Sequence, residues 1–452
     1  MILLAGDRVD SFDRYVNTGG LQGLAEAERL GAESTIDEVA ASGLRGRGGA
    51  GFPVGVKWRS IAAGGDGAGE RFVVANGAEG EPGTFKDRTI IRHNPYLLIE
   101  GLLIAAHTLG ASRAFAALKA SFRTEAALLA EAAAEFGAAG VAPGVSIEIV
   151  LGPDEYLFGE EKALLEVIEG EDPLPRLFPP YIYGLFTTSP QVGWSAGRTL
   201  EDDHRTDANP TLVNNVETLS TVPLIMARGA DWFRSMGTAE SPGTIVCTVS
   251  GDTVRHGVGE FEMGTPLSRV IDLVGGGMPA GRAVKYVLSG ISNPVIRADH
   301  LDVPLTYEHL ESIGSGLGTG GFLIYDDRTD PAELAQAVSR FLAVESCGQC
   351  PACKLGTARI TEILGSLSTG AGEGVVELSA RLGAVTDGAR CFLPSQEQQV
   401  VGSLVSDIRS PELRTALRGL EVTKIIDFDG DRFVLDERQR LKQPDWTYRS
   451  DG

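Results

Sequence analysis

The chain is poor in positive charge. Among 452 residues, 40 Lys and Arg stand against 61 Asp and Glu, a formal net charge of −21. A nucleic-acid binder needs a basic face and docking on anionic lipid needs basic clusters, so both classes are excluded. Charge this negative repels anionic substrates at long range, so a phosphate site must be built locally from amides and a few cations. There is no apolar run long enough to span a bilayer; the nearest, Tyr96 to Ala111, carries Glu100 and His107. Met1 to Leu4 is too short for a signal peptide, and Asp7 follows at once. These features read as a soluble cytosolic protein without direct membrane insertion. Cysteine is scarce as well: five residues do not make a disulfide scaffold.

Glycine, by contrast, is abundant at 58 residues, which points to tight turns or to backbone approaching a ligand. The length suits about three domains of roughly 150 residues each. Apolar residues at 43% and charged residues at 22% are ordinary for a globular chain.

The few cysteines are unevenly placed. Cys247 stands alone in Thr244–Ser250, an alternating strand-like run, and reads as packing. Cys347, Cys350 and Cys353 form C-x2-C-x2-C, with Cys391 far downstream. On a straight helix these three positions fan round the axis and do not converge. A loop wrapped round a bulky group converges them, and Gly348 and Pro351 break the helix where wrapping needs it. This is the spacing of a [4Fe–4S] cubane. Structural zinc is the rival, although it usually takes two separated C-x2-C pairs; three unligated cysteines within seven residues fit poorly. Helices are expected at 331–345 (Asp330 as N-cap), 357–367, 374–382 and 395–407, a small bundle with Cys391 on a loop. Lys354, Arg359 and Arg390 flank the ligands, either offsetting thiolate charge or as plain surface cations.

Nearer the N-terminus, Gly43–Trp58 contains a formal G-x-G-x-x-G from Gly46 to Gly51. A dinucleotide fingerprint needs a strand before its glycines. Here residues 34–42 read as a helix capped by Ser34 or Thr35. What remains is a loop whose bare amides can cradle phosphate, helped by Arg47 and Lys57. A flexible surface loop is the bland reading, but it would expose Phe52, Val54, Val56 and Trp58. A strand at 71–75 is followed by Glu79 and Glu81 among glycines, which suits a crevice at a strand's C-terminal end. Next come a helix opened by Asn94-Pro95, a strand at 114–118, a helix at 124–136 and a strand at 145–150, an alternation that implies an open α/β sheet. Two further segments follow, Gly152–Gly170 and Asn209–Thr218. In the second, the paired Asn214 and Asn215 side chains can read an imide edge.

Taken together, Gly46–Pro53, Glu81–Arg88, Gly159-Glu160-Glu161, Val213–Thr218 and Glu345–Cys353 with Cys391 resemble one family. It is the flavin-carrying, NADH-oxidising subunit of respiratory complex I, the NADH-quinone oxidoreductase. Diaphorase subunits of NAD-reducing hydrogenases and of NAD-dependent formate dehydrogenases share its core. The resemblance runs from about residue 33 to about residue 410. It implies an FMN phosphate at Gly46, Arg47, Gly48, Gly49 and Lys57. Asn76, Glu79, Tyr156, Gly159, Glu160, Asn214, Asn215 and Thr218 then surround the rest of the flavin. Phe52, Glu81, Glu161 and Tyr181 face NADH, and Cys347, Cys350, Cys353 and Cys391 hold [4Fe–4S]. The implied fold is α/β (α+β overall): an FMN-binding open α/β domain at 1–240, a ubiquitin-like β-grasp domain at 241–327, a helical cluster domain at 328–420 and a tail at 421–452. Short strands at 284–288 and 322–325 and a helix after Pro266 agree with the middle domain.

The chain departs from the family pattern in places. Ala78 stands where the family has an acidic residue, Phe158 where it has Cys, and Cys391-Phe-Leu-Pro394 replaces Cys-Ala-Leu-Gly. Ser60 and Tyr181 occupy the positions of two adenine-sandwiching aromatics, and Phe178 that of a lysine. One lost stacking ring costs on the order of 0.5–1.5 kcal/mol, which weakens NADH without excluding it. Residues 187–208 lengthen a link that is short in the family. The resemblance implies that NADH passes electrons through FMN to the cluster. No side-chain nucleophile or general acid is required, so no residue is named as catalytic. No further cysteines follow the bundle, so an iron–sulfur partner, a 2Fe–2S thioredoxin-like subunit or a ferredoxin, is expected to take the electrons on within a hetero-oligomer. The alternatives are the same core serving a ferredoxin or a bifurcating complex, a relay that has lost NADH binding, and a zinc-bound structural protein.

Overall fold

The computed structural model describes residues 1–64, 69–187, 208–368, 375–408, 425–429, 432–436, 442–443 and 445–447. The expected insertion at 187–208 lies outside the described residues except for its two ends. Two compact units are present. One comprises Met1–Gly80, Lys86–Val246 and Glu260–Gly264; the other comprises Glu81–Phe85, Cys247–Gly259 and Thr265–Gly452.

The first unit is built on four parallel strands: β1 (Phe72–Gly77), β2 (Arg113–Lys119), β3 (Ser146–Gly152) and β4 (Thr211–Asn215), ordered β3-β2-β1-β4. β1 and β2 are buried almost throughout, the pattern of parallel strands covered on both faces. Helix Pro95–Leu109 connects them. Asn94 accepts the Leu97 N–H at its start, Pro95 pre-sets its first turn, and Gly110 ends it in the left-handed region. The long apolar run of the sequence is therefore a buried crossover helix. Its one carboxylate, Glu100, accepts the Leu21 and Leu24 N–H groups, each at 2.8 Å, together with the Tyr15 hydroxyl. Among the described residues no helix is long and apolar enough to cross a membrane.

The helix expected at 34–42 begins earlier, at Ala32, with Gly31 as its N-cap. Ser34 and Thr35 do not cap it; the Thr35 hydroxyl turns back to the Ala27 carbonyl instead.

The second sheet is mixed and has five strands: β5 (Thr244–Gly251), β6 (Gly257–Glu262), β7 (Val284–Ser289), β8 (Ile296–Arg297) and β9 (Gly321–Asp326), ordered β6-β5-β9-β7-β8. β5 runs parallel to β9, and β7 antiparallel to both β8 and β9. Helix Leu267–Gly275 follows Pro266 as expected. The alternation expected of β5 is absent: it is buried at both parities, and Cys247 is fully buried within it. Helices Pro331–Glu345, Pro351–Ser368, Val375–Ala384 and a helical run from Leu393 to Val405 come next, the last with a π turn over Glu397–Val401. Asp330 caps the first by accepting the Ala332 and Glu333 N–H groups. Pro351 does not break a helix here. It opens one, six residues before the expected start at Thr357, because a first-turn proline has no hydrogen bond to lose. The expected tail carries an antiparallel strand pair, β10 (Ile425–Asp429) and β11 (Arg432–Asp436).

Candidate functional site

In the order β3-β2-β1-β4 the chain moves outward from β1 through β2 to β3, then returns to the other side of β1 as β4. The gap between the C-terminal ends of β1 and β4 is thus a topological switch point, where open α/β sheets bind ligands. Asn76 of β1 lies in register with Asn215 of β4, and Asn214 precedes it. The Asn215 side chain donates to Asp87 Oδ2 at 2.7 Å and lies 3.5 Å from the Asn76 carbonyl. Asn76 Nδ2 donates to the Gly159 carbonyl at 2.8 Å, which ties the turn after β3 to the same place.

The glycine-rich loop closes on itself and on these strands. Gly46 N–H donates to Phe52 O at 2.9 Å, Val54 N–H to Leu44 O at 3.0 Å and Arg45 Nε to Gly51 O at 2.7 Å. Gly49 at φ 120° and Gly51 at φ 62° hold turns that side chains rarely adopt. A Cβ on Gly48 would stand 3.3 Å from Asn215 Cβ, so the loop backbone lies directly on the asparagine pair. Trp58, fully buried, donates from Nε1 to Asn214 Oδ1 at 2.9 Å. Val54 is also buried, whereas Phe52 and Val56 are about half exposed.

The two cations of the loop behave differently. Arg47 is buried: its amide donates to Thr218 Oγ1 at 2.9 Å and its guanidinium to Thr244 O at 2.9 Å, with Nε 3.9 Å from Glu217. Lys57 is partly exposed and pairs with Glu161 at 2.9 Å. Glu160 caps helix Glu161–Ile168, accepting the Lys162 and Ala163 N–H groups, and burial pushes its carboxyl up to about 7. Gly80 approaches the Tyr156 backbone.

Beneath the asparagines lies a buried ionic layer that short-range sequence motifs leave without a role. Lys86 Nζ reaches Asp87 at 2.7 Å, Glu217 at 2.8 Å and Asn215 Oδ1 at 3.0 Å. Glu79 accepts the Asp87 N–H at 2.8 Å and Arg88 Nε at 3.0 Å. Burial lowers the Lys86 pKa, but Asp87 and Glu217 outweigh it and the net shift is upward; burial raises Glu217, and burial with Asp87 raises Glu79. The signal available in the sequence is the charged triplet Lys86-Asp87-Arg88 opening a helix just beyond a buried strand.

Ala78 and Phe158, two departures from the family pattern, prove to be neighbours in one apolar cluster with Phe72, Phe115, Leu164 and Val213. Tyr181 is half exposed and Ser60 is exposed, its hydroxyl returned to Lys57 O. Phe178 packs on Tyr183 with ring centroids 4.9 Å apart. Glu81 belongs to the second unit, where its carboxylate accepts the Ile291 N–H and the Ser292 hydroxyl.

In the second unit Cys347 follows Ser346, the C-cap of helix Pro331–Glu345, Gly348 turns the chain at φ 83°, and Cys353 lies in the first turn of helix Pro351–Ser368. Ser346 Oγ lies 3.3 Å from Cys353 Sγ, and Gln349 Nε2 donates to Cys347 Sγ at 3.6 Å. Arg390, next to Cys391, donates to Gln349 Oε1 at 2.7 Å, so the fourth cysteine's loop is tied to that of the other three. Burial pushes the Cys353 thiol up to about 11, with Cys350 and Cys347 adding to the rise. Among the described residues no three Cys, His, Asp or Glu side chains group to hold a single ion. A four-iron cluster is held differently, one thiolate to each corner, and four cysteines on two tethered loops suit it. Of the flanking cations, Lys354 donates to Ala343 O and Ser346 O, Arg390 serves as described, and Arg359 is a surface cation paired with Glu362 and Glu377.

Two family models match the segments that carry these residues. Residues 39–224 match the family model described as the Nuo51 FMN-binding domain, and residues 333–411 match the NADH-ubiquinone oxidoreductase-F iron–sulfur binding region. The NADH-quinone oxidoreductase F-subunit of Streptomyces coelicolor is 37% identical over 373 residues, covering 80% of this chain and 78% of that protein. The NADP-reducing hydrogenase subunit HndC of Solidesulfovibrio fructosivorans is 35% identical, covering 80% and 71%. Among solved structures, a chain of an NAD+-reducing [NiFe]-hydrogenase in the H2-reduced state superposes with a TM-score of 0.75 at 32% identity. The match covers 88% of this chain and 66% of that one, just under two thirds of its length.

Proposed function

This chain belongs to the family of F-subunits of NADH-quinone oxidoreductase, and from that premise we propose that it is an NADH-dependent oxidoreductase carrying FMN and a [4Fe–4S] cluster. The observation that carries the reading is the closure of the glycine loop onto Asn214 and Asn215 at the switch point between β1 and β4, where Asn215 stands in register with Asn76. When bound, FMN exchanges two electrons with a nicotinamide and single electrons with an iron–sulfur cluster.

The chain's own part is to bind and orient. Gly48 and Gly49 present bare amides and Lys57 a cation for the phosphate, while Gly46, its N–H donated to Phe52 O, closes the loop that holds them. Arg47 acts from beneath, its side chain holding the loop to Thr244 and Glu217 rather than reaching outward. Asn76, Asn214, Asn215 and Thr218, with Tyr156, Gly159 and Glu160, frame the ring system. Glu79 supports that frame from the ionic layer by accepting Arg88. Phe52, Glu81, Glu161 and Tyr181 are the nicotinamide-nucleotide residues of this reading. Cys347, Cys350, Cys353 and Cys391 hold the cluster. The five-stranded mixed sheet is read as the β-grasp domain and the helices from Pro331 onward as the cluster bundle.

The relatives are named as subunits of an NADH-quinone oxidoreductase and of a hydrogenase, which supports a place in a hetero-oligomer. The onward acceptor on this reading is an iron–sulfur protein, a 2Fe–2S thioredoxin-like subunit or a ferredoxin. Anaerobic stopped-flow mixing of the purified holoprotein with NADH tests the reading. Bleaching of the bound flavin followed by reduction of the cluster is the expected result; a flavin that stays oxidised would overturn it.

A further inference from the structure

The cluster loop is held at its entry by a residue from far outside its own helices. Lys442 Nζ lies 2.9 Å from Glu345 Oε1 and 3.0 Å from Glu345 Oε2, and both side chains are fully buried. Glu345 ends helix Pro331–Glu345, and Ser346 and Cys347 follow it directly. A buried carboxylate at that place is tolerable only with a partner, since an unpaired charge in the interior carries its full desolvation cost. The partner comes from 97 residues away. It also lies beyond residue 411, where the match to the iron–sulfur family model stops.

The surroundings turn this pair into a fastening. Arg340, on the same helix as Glu345, reaches the Lys442 carbonyl at 3.5 Å. Just beyond Lys442 the chain turns back, with Gln443 N–H to Thr447 O at 2.7 Å and Trp446 N–H to Gln443 O at 2.9 Å, and the Lys442 ammonium stands 6.0 Å from the Trp446 ring centre. On the loop itself Lys354 holds the Ala343 and Ser346 carbonyls at 3.0 and 2.7 Å, while Ser346 meets the Cys353 thiol. The backbone that delivers Cys347 is thus clamped by Lys354 from the helix after it and by Lys442 from the C-terminal segment.

We propose that Lys442 is a clasp on the cluster-binding loop, a positioning residue that keeps Ser346–Cys353 in the geometry that retains the cluster. This rests on the four cysteines being cluster ligands, and it adds a coupling: closing the clasp and holding the cluster favour each other. By linkage the effect is reciprocal, so removing the cluster should loosen the clasp.

Two measurements on the full-length holoprotein test it. In the first, iron release to a chelator is followed at the cluster absorbance for the wild type, Lys442→Met and the double variant Glu345→Gln/Lys442→Met. Lys442→Met should lose iron at least tenfold faster with its FMN content unchanged. The double variant, having no unpaired buried charge, should recover most of the difference. Release within twofold of wild type for Lys442→Met would overturn the clasp. In the second, which needs no variant, amide exchange of the peptide containing residues 442–447 is compared in cluster-loaded and cluster-stripped wild type. Faster exchange in the stripped protein is expected; equal exchange refutes the coupling. The metal content of the wild type tests the ligand assignment separately. If zinc is found in place of iron, the cluster reading fails, and the same comparisons read the clasp through zinc release.

Discussion

Lys86 Nζ lies 2.8 Å from Glu217 Oε2 with each side chain about 1% exposed, and 3.0 Å from Asn215 Oδ1 of the asparagine pair. Lys86 also donates to Asp87 and Asn215. Replacing Lys86 by Met leaves two carboxylates buried beside one another without their shared cation. Loss of one partner of such a pair costs about 3–5 kcal/mol. Lys86→Met should therefore lower the denaturant midpoint strongly and weaken FMN retention, measured by flavin fluorescence released on dilution. Unchanged retention would mean that the ionic layer does not support the asparagines.

The glycine loop makes a second, smaller prediction. Gly49 sits at φ 120°, where an alanine is strained by about 1–3 kcal/mol. Gly49→Ala should cost roughly tenfold in FMN affinity, since about 1.4 kcal/mol is tenfold. Gly140→Ala, also at positive φ but far along the chain with open space around it, should leave FMN affinity as it was. Titration of the flavin-free proteins with FMN separates the two.

Cys350→Ser removes one of the four thiols. The electron paramagnetic resonance signal of the reduced cluster should disappear or change type, while the flavin content stays close to wild type because the residues proposed to hold the flavin lie in the other compact unit. A signal that persists unaltered would show that Cys350 is not a ligand.

A pH dependence follows from Glu397, in the π turn of the last helical run. It is fully buried, accepts the Ser339 hydroxyl at 2.6 Å through Oε1, and has no hydrogen-bond partner for Oε2 among the described residues. Burial pushes its carboxyl up to about 8, so near neutral pH it is folded in its protonated, uncharged form. The folded chain then binds a proton that the unfolded chain has released above its ordinary carboxylate pKa. Stability from this group is fully present below the ordinary carboxylate pKa and is lost as pH rises from there to about 8, by at most ~1.4 kcal/mol per pH unit. Glu397→Gln cannot ionise, so it should match wild type near pH 4 and exceed it near pH 9. Unfolding midpoints in urea at the two pH values decide this; parallel curves would mean that Glu397 does not titrate in this range.

The elements most legible in the sequence were those whose signal is short in range. Asp330 before Pro331 marks its helix because a cap acts on amides two and three residues away. Likewise Asn94-Pro95 opens its helix with cap and first turn side by side. The helix at Ala32–Ala41 shows the limit of such signals. Ser34 and Thr35 are good caps in isolation, but the Thr35 hydroxyl is drawn to the Ala27 carbonyl by the packing of the preceding helix. Pro351 is ambiguous for a related reason. Proline both breaks a helix interior and favours a first turn, and only the chain's direction after Gly348 decides between them.

The site followed the same division. Contiguous motifs placed the glycine loop, the asparagine pair and the four cysteines, because their chemistry depends on residue type and close spacing. The sequence by itself therefore determined which cofactors the chain is equipped to hold. Only the tertiary structure decided that Asn76 stands opposite Asn215, that Arg47 points inward to Thr244 and Glu217, and that Lys86 and Lys442 each neutralise a carboxylate far away in sequence. The physical reason is that a charge's partner is set by burial and strand order. Both are properties of the whole folded chain, whereas a thiol or a bare amide keeps its chemistry wherever the chain carries it.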